Sequence, residues 1–183
     1  SSTRSSSTPS PTNSTPSSRP QGDRRARALA DFQDKLASLR FLDPACGSGN
    51  FLTETYLSLR RLENRALEAL FAGRRMMGEL YNPIKVSINQ FYGIEINDFA
   101  VTVAKTALWI AESQMMRETE ELLNINLDFL PLKSYATIVQ GNALRVPWES
   151  VVPKEKLNYI MGNEAVICGL TPEKARNIKE FAA

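Results

Sequence analysis

The sequence predicts an α/β fold, a parallel sheet doubly wound with helices. Four short stretches of strand type alternate with amphipathic helical stretches. Each of the four ends in a small or polar group, which is where such sheets bind ligands. The composition, 43% hydrophobic and 23% charged over 183 residues, is that of an ordinary globular chain, enough for one domain and a tail.

The elements follow in chain order. Seventeen of the first twenty residues are Ser, Thr or Pro and none is aliphatic or aromatic, so this stretch has nothing to bury against chain entropy. Residues 1–23 are therefore expected to be a disordered leader. A Ser/Arg-rich, acid-poor start also fits an organelle transit peptide, but it lacks an amphipathic arginine helix. Leu29, Phe32, Leu36 and Leu39 predict an amphipathic helix over 26–39. Residues 39–42 read as a strand ended by Asp43-Pro44, with Gly47-Ser48-Gly49-Asn50 as the turn after it. A long helix is predicted over 51–71 with its stripe at Thr55, Leu59, Leu62, Ala66 and Leu70. Residues 73–88 are irregular, punctuated by Gly78 and Asn82-Pro83.

A second strand covers 90–96, and Asn97 caps a helix that runs to about Met116. The stripe of that helix is Ala100, Ala104, Ala107, Leu108, Ala111 and Met115. Its four alanines imply close packing of helix on sheet. The third strand, 137–140, ends in Gly141-Asn142-Ala143, and the fourth, 157–161, ends in Gly162-Asn163.

Several function classes are excluded at once. The chain has no histidine, so no Ser-His-Asp triad, Cys-His pair or His-ligated metal can be built from it. Cys46 and Cys168 lie far apart, which indicates neither a zinc site nor a disulfide framework and fits a reducing cytosolic setting. No run of about 18 apolar residues exists to cross a membrane. Residues 1–27 carry five arginines against Asp23, a net +4, which leaves the other 156 residues at −2 out of a total of +2. That body lacks the broad basic footprint of a nucleic-acid binder.

The four strand ends are the candidate site. Gly47 and Gly49 let backbone approach a ligand, and the helix that follows offers unpaired N–H groups and a positive dipole end. A dinucleotide fingerprint would have a third glycine where Leu52 stands, and its acid would follow after about 20 residues. Here Glu95 lies 52 residues after Asp43. A carboxylate at Asp43 repels phosphate and suits a cation, such as an amino group beside a sulfonium. Glu95 is placed to accept two ribose hydroxyls, or else is a solvated strand end. Ile96 fits an adenine face or the core. Asn142 carries a donor and an acceptor for an adenine edge, or is a plain turn residue. Trp109 reads as a core or partner-facing residue and Trp148 as a loop anchor, while Tyr81 is a further aromatic available for stacking on a base.

Asp43-Pro-Ala-Cys-Gly-Ser-Gly-Asn-Phe-Leu52 resembles motif I of the amino-methylating DNA methyltransferases that use S-adenosylmethionine. Gln90-Phe-Tyr-Gly-Ile-Glu-Ile-Asn97, with Ala104-Lys-Thr-Ala-Leu-Trp109, is similar to the adenine-N6 enzymes of the MmeI-like restriction–modification group. The resemblance covers 41–163. It implies a Rossmann-like class I methyltransferase fold, here about four strands in the order 3-2-1-4. It also implies a cofactor-binding core over 24–163, a bacterial cytoplasmic setting, and DNA as partner of the intact family. Cofactor roles fall on Asp43, Ala45, Gly47, Gly49, Glu95, Ile96, Asn142 and Ala143. The catalytic position falls on Asn163, and neither a metal nor a membrane is implied.

One departure stands out. The family carries Asn-Pro-Pro-Phe or Asp-Pro-Pro-Tyr after the fourth strand, where the asparagine and a carbonyl grip the target amine and the ring stacks on the flipped base. Here Asn163 is followed by Glu164-Ala165-Val166, with no aromatic residue until Phe181. Residues 164–183 are therefore expected to be a divergent tail, and the chain a fragment or degenerate copy with little DNA binding of its own. The alternatives are a non-catalytic S-adenosylmethionine-binding module and a methyltransferase acting on another amine.

Overall fold

The computed structural model describes residues 19–71, 82–127 and 135–162. Strands β1 (Phe41–Asp43), β2 (Phe91–Glu95), β3 (Thr137–Gln140) and β4 (Tyr159–Ile160) form one parallel sheet in the order β3-β2-β1-β4. This is the fold class that the sequence predicts and the strand order that the resemblance implies. Helix α1 (Arg19–Ser38) precedes β1, α2 (Asn50–Phe71) links β1 to β2, and α3 (Asp98–Leu123) links β2 to β3. The return from β3 to β4 carries two single 3₁₀ turns, Trp148–Ser150 and Lys154–Lys156.

Alternation along the strands sends neighbouring residues to opposite faces. Phe41 and Phe91 face Leu52, Tyr56 and Leu59 of α2 and Ala104, Leu108 and Ala111 of α3. Leu42 and Ile94 face the other way, under Trp148, Val151 and Val152 of the return segment. The register sets Phe41 opposite both Phe91 and Tyr159, and the three rings stack with centroids 5.2 Å apart at each step.

Several boundaries differ from expectation, among them those of β1 (Phe41–Asp43 rather than 39–42) and β2 (Phe91–Glu95 rather than 90–96). Helix α1 begins at Arg19, so residues 19–23 are helical, whereas 1–18 lie outside the described residues. Helix α3 continues well past Met116 because Thr119 extends its buried face. It ends at Asn124, whose left-handed backbone (φ 51°) closes the last turn. The fourth strand is shorter than 157–161, with only Tyr159–Ile160 in the ladder.

The buried face of α2 is also rotated from the predicted stripe. Leu62 is 41% exposed, while Arg60 and Glu63 are fully buried. The reason is a polar hub. Glu63 pairs with Arg60 and accepts from Gln33 Nε2 (2.7 Å) and from the Lys85 backbone N–H (2.7 Å), and Arg60 Nη2 donates to Thr119 Oγ1 (2.7 Å). These bonds join α1, α2, α3 and the segment entering β2.

Candidate functional site

In a parallel sheet all the strand ends share one edge, and helices begin there with unpaired N–H groups. Asp43, the last residue of β1, is 1% exposed. Its Oδ1 accepts the Ala45 N–H at 3.0 Å, while its Oδ2 is buried without a partner among the described residues. Burial pushes its carboxyl above the ordinary 3.8. The Ala45 bond opposes that rise and the charge of nearby Glu95 adds to it.

The loop that follows runs through two left-handed glycines, Gly47 (φ 54°) and Gly49 (φ 80°). Half-buried Ala45 and buried Cys46 lie between strand and glycines. Cys46 donates its backbone N–H to the Ile94 carbonyl at 3.1 Å. Burial, then Asp43, then Glu95 push its thiol up to about 12. Gly47 N–H donates to Glu95 Oε2 at 2.9 Å, and Asn97 N–H to Glu95 Oε1 at 3.0 Å. Gly141 N–H donates to the Glu95 carbonyl at 2.8 Å. Glu95 therefore ties together the loops after β1, β2 and β3. Among the described residues each carboxylate oxygen accepts one such bond, which leaves capacity for another donor.

The remaining predicted residues flank this junction. Ile96 is 66% exposed, which rules out the core placement. Asn142 is half-buried and its Oδ1 accepts the Leu144 N–H at 2.9 Å. Ala143 is half-buried, and its carbonyl accepts Trp148 Nε1 at 2.8 Å, so Trp148 is the loop anchor the sequence indicated. Gly162 lies against Asp43, where a Cβ would stand 3.4 Å from Oδ1. Trp109 is part-exposed on α3 rather than in the core. Asn163 and Tyr81 lie outside the described residues. Among the described residues, no group of three or more Cys, Asp or Glu side chains is placed to hold a metal, and no helix is long and apolar enough to cross a membrane.

The family model described as "MmeI, DNA-methyltransferase domain" matches residues 19–180. The chain belongs to this family. The match extends beyond 41–163 on both sides and takes in α1 and the tail after Asn163. DNA methyltransferase A of Bacillus subtilis (strain 168) is 45% identical over 139 residues, 74% of this chain and 15% of that protein. The adenine-specific methyltransferase PglX of Streptomyces coelicolor is 30% identical over 74 residues, 40% of this chain and 5% of that protein. The type IIL restriction-modification enzyme MmeI, solved in complex with DNA, superposes with a TM-score of 0.69 at 38% identity, over 75% of this chain and 18% of that one. The chain thus spans less than a fifth of the length of each.

For a member of the MmeI methyltransferase family, the edge of the sheet also carries two exposed aromatic residues to which the sequence reading gave no role. Phe51 and Phe99, in the first turns of α2 and α3, are 55% and 74% exposed. Their signal was available: each is an apolar residue set directly after a polar loop, at the start of a helix and off its buried stripe.

Proposed function

We propose that residues 24–163 form the S-adenosylmethionine-binding region of a DNA adenine-N6 methyltransferase, between a leader (1–23) and a divergent tail (164–183). The observation that carries this reading is Asp43 Oδ2, a buried carboxylate oxygen that has no partner among the described residues, at the base of a glycine loop. Such a group calls for a cation. S-adenosylmethionine brings an ammonium group and supplies an electrophilic methyl on its sulfonium.

In this reading Asp43 seats the ammonium. Ala45, Gly47 and Gly49 offer small side chains and bare backbone beside it. Glu95 takes the ribose hydroxyls with the acceptor capacity its oxygens retain, Ile96 covers the adenine ring, and Asn142 and Ala143 meet the adenine edge. Asn163 would hold the target amine, whose nitrogen would take the methyl as the sulfonium S–C bond breaks, leaving a neutral thioether and releasing one amine proton to solvent, with no metal or covalent enzyme intermediate. Membership of the MmeI family supports DNA as the partner, and the adenine-specific relative supports the base. The setting is bacterial cytoplasm.

The replacement of the Pro-Pro-aromatic continuation by Glu164-Ala165-Val166 favours a second reading for this chain by itself, a module that binds the cofactor without transferring its methyl. Stacking on the flipped base is worth about 1–3 kcal/mol, and a misplacement of about 1 Å costs roughly a hundredfold in rate. Equilibrium dialysis with tritiated S-adenosylmethionine tests the proposal. The label is retained, displaced by unlabelled cofactor and unaffected by NAD, and none passes to an adenine-containing duplex. Failure to retain label overturns the cofactor assignment, and incorporation into DNA overturns the role given to the missing motif.

A further inference from the structure

We infer that Ala104, on α3, is a positioning residue that sets the seat of the 43–50 loop on the sheet. The inference rests on the reading of that loop as the methyl-donor site, and it begins from the contacts that hold the loop. A Cβ on Gly49 would stand 2.9 Å from Ala104 Cβ and 3.1 Å from Ala104 Cα, closer than side-chain carbons pack. A Cβ on Gly93 would stand 2.8 Å from Cys46 Sγ. The loop therefore rests without clearance at two points, Gly49 on α3 and Cys46 on β2. A third tie is the bond from Gly47 N–H to Glu95.

These supports, Gly93, Glu95 and Ala104, together with the Ile94 carbonyl that takes the Cys46 N–H at 3.1 Å, belong to the continuous β2–α3 unit. The unit thus acts as a template on which the loop is laid, and Ala104 is its least forgiving point. Ala104 is fully buried with its Cα and Cβ against Gly49, so a bulkier branched side chain there crowds the loop backbone. Gly49 in turn receives the Thr53 N–H on its carbonyl at 2.8 Å and gives its own N–H to the Cys46 carbonyl at 2.8 Å. A push at Gly49 is therefore passed to the start of α2 and to Cys46. The alanine stripe of α3 does more than fill space here: its member at 104 fixes the height of a loop whose bare backbone faces the ligand.

Cys46 supplies a reporter that needs no cofactor. The seated loop keeps its thiol 6% exposed, and a buried, protonated thiol reacts slowly with alkylating reagents. The experiment labels the full-length chain with iodoacetamide, reads Cys46 from its proteolytic peptide, and measures S-adenosylmethionine affinity and melting temperature in parallel. Ala104→Val is expected to label Cys46 faster and to bind the cofactor about tenfold to a hundredfold more weakly, the range that overpacking a tight core site implies. Ala111→Gly, two turns further along α3 and also buried, melts lower because glycine is a poor helix former, yet keeps the protected thiol and wild-type affinity.

That split separates positioning from plain stability. Labelling of Ala104→Val at the wild-type rate overturns the inference. So does labelling and affinity that simply follow melting temperature through both variants. If Ala104→Val does not fold, Gly49→Ala presses on the same contact from the loop side, and an unchanged Cys46 rate there overturns the inference equally. A wild-type chain that fails to bind S-adenosylmethionine defeats the methyl-donor reading, while the Cys46 rates still decide what seats the loop.

Discussion

Truncating Glu63 to alanine removes the centre of the polar hub. The wild-type carboxylate pairs with Arg60 and accepts from Gln33 Nε2 and from the backbone N–H groups of Lys85 and Val86. Both charged side chains are 0% exposed, so in Glu63→Ala the Arg60 guanidinium stays in the interior without its counter-charge. Breaking a buried pair from one side costs about 3–5 kcal/mol, a large share of the roughly 5–15 kcal/mol that holds a domain together. At about 2–4 °C per kcal/mol for a chain of this size, the melting temperature should fall by roughly 6–20 °C. The surface pair on the same helix, Arg61 with Glu54 at 3.6 Å, is the control, since both side chains are more than half exposed. Glu54→Ala should stay within about 1 kcal/mol of wild type. Urea unfolding followed by circular dichroism reads both variants. Equal midpoints for Glu63→Ala and Glu54→Ala would refute the hub as a stabilising centre.

Two further outcomes follow from the loop. Gly49→Ala places a Cβ 2.9 Å from Ala104 Cβ at a φ of 80°, so it should lose at least about 1–2 kcal/mol of stability from the backbone conformation alone; a urea midpoint at the wild-type value would contradict the contact. Asp43 has its carboxyl raised above 3.8 chiefly by burial, so the folded state holds its proton more tightly than the unfolded state. Stability from this group is therefore fully present below pH 3.8 and is lost as pH rises through the higher folded value. Asp43→Asn should remove that loss and so be more stable than wild type at pH 7, with the difference shrinking toward pH 4, while binding S-adenosylmethionine more weakly. Urea midpoints across pH 4–7 check it, and a variant less stable than wild type at pH 7 would reverse the sign.

Much of the fold was legible because its signals are local. Asp43-Pro44 and the two glycines mark a strand end and a turn by backbone rules alone, and the alanines of α3 mark a close-packed face. Asn97 caps α3 as read, its side chain accepting from the Ala100 N–H. The hub was not legible. Arg60 and Glu63 read as solvent-facing on any hydropathy count, and only the arrival of Gln33, Lys85, Val86 and Thr119 from three other segments makes their burial tolerable. Those partners lie 22 to 59 residues from the residues they bond. The same holds for Glu95. Its place at a strand end followed from the sequence, but its bond to Gly47 joins residues 48 apart and shows only in three dimensions.

Calorimetric titration of the full-length chain with S-adenosylmethionine, repeated for Glu95→Ala and against NAD, tests the central claim most directly. The account predicts that S-adenosylmethionine binds and that Glu95→Ala weakens it by about 1–3 kcal/mol, roughly 5- to 150-fold, as hydroxyl hydrogen bonds and the Gly47 tie are lost together. Tight NAD binding with no response to S-adenosylmethionine would contradict it, and so would a Glu95→Ala chain that binds as wild type does.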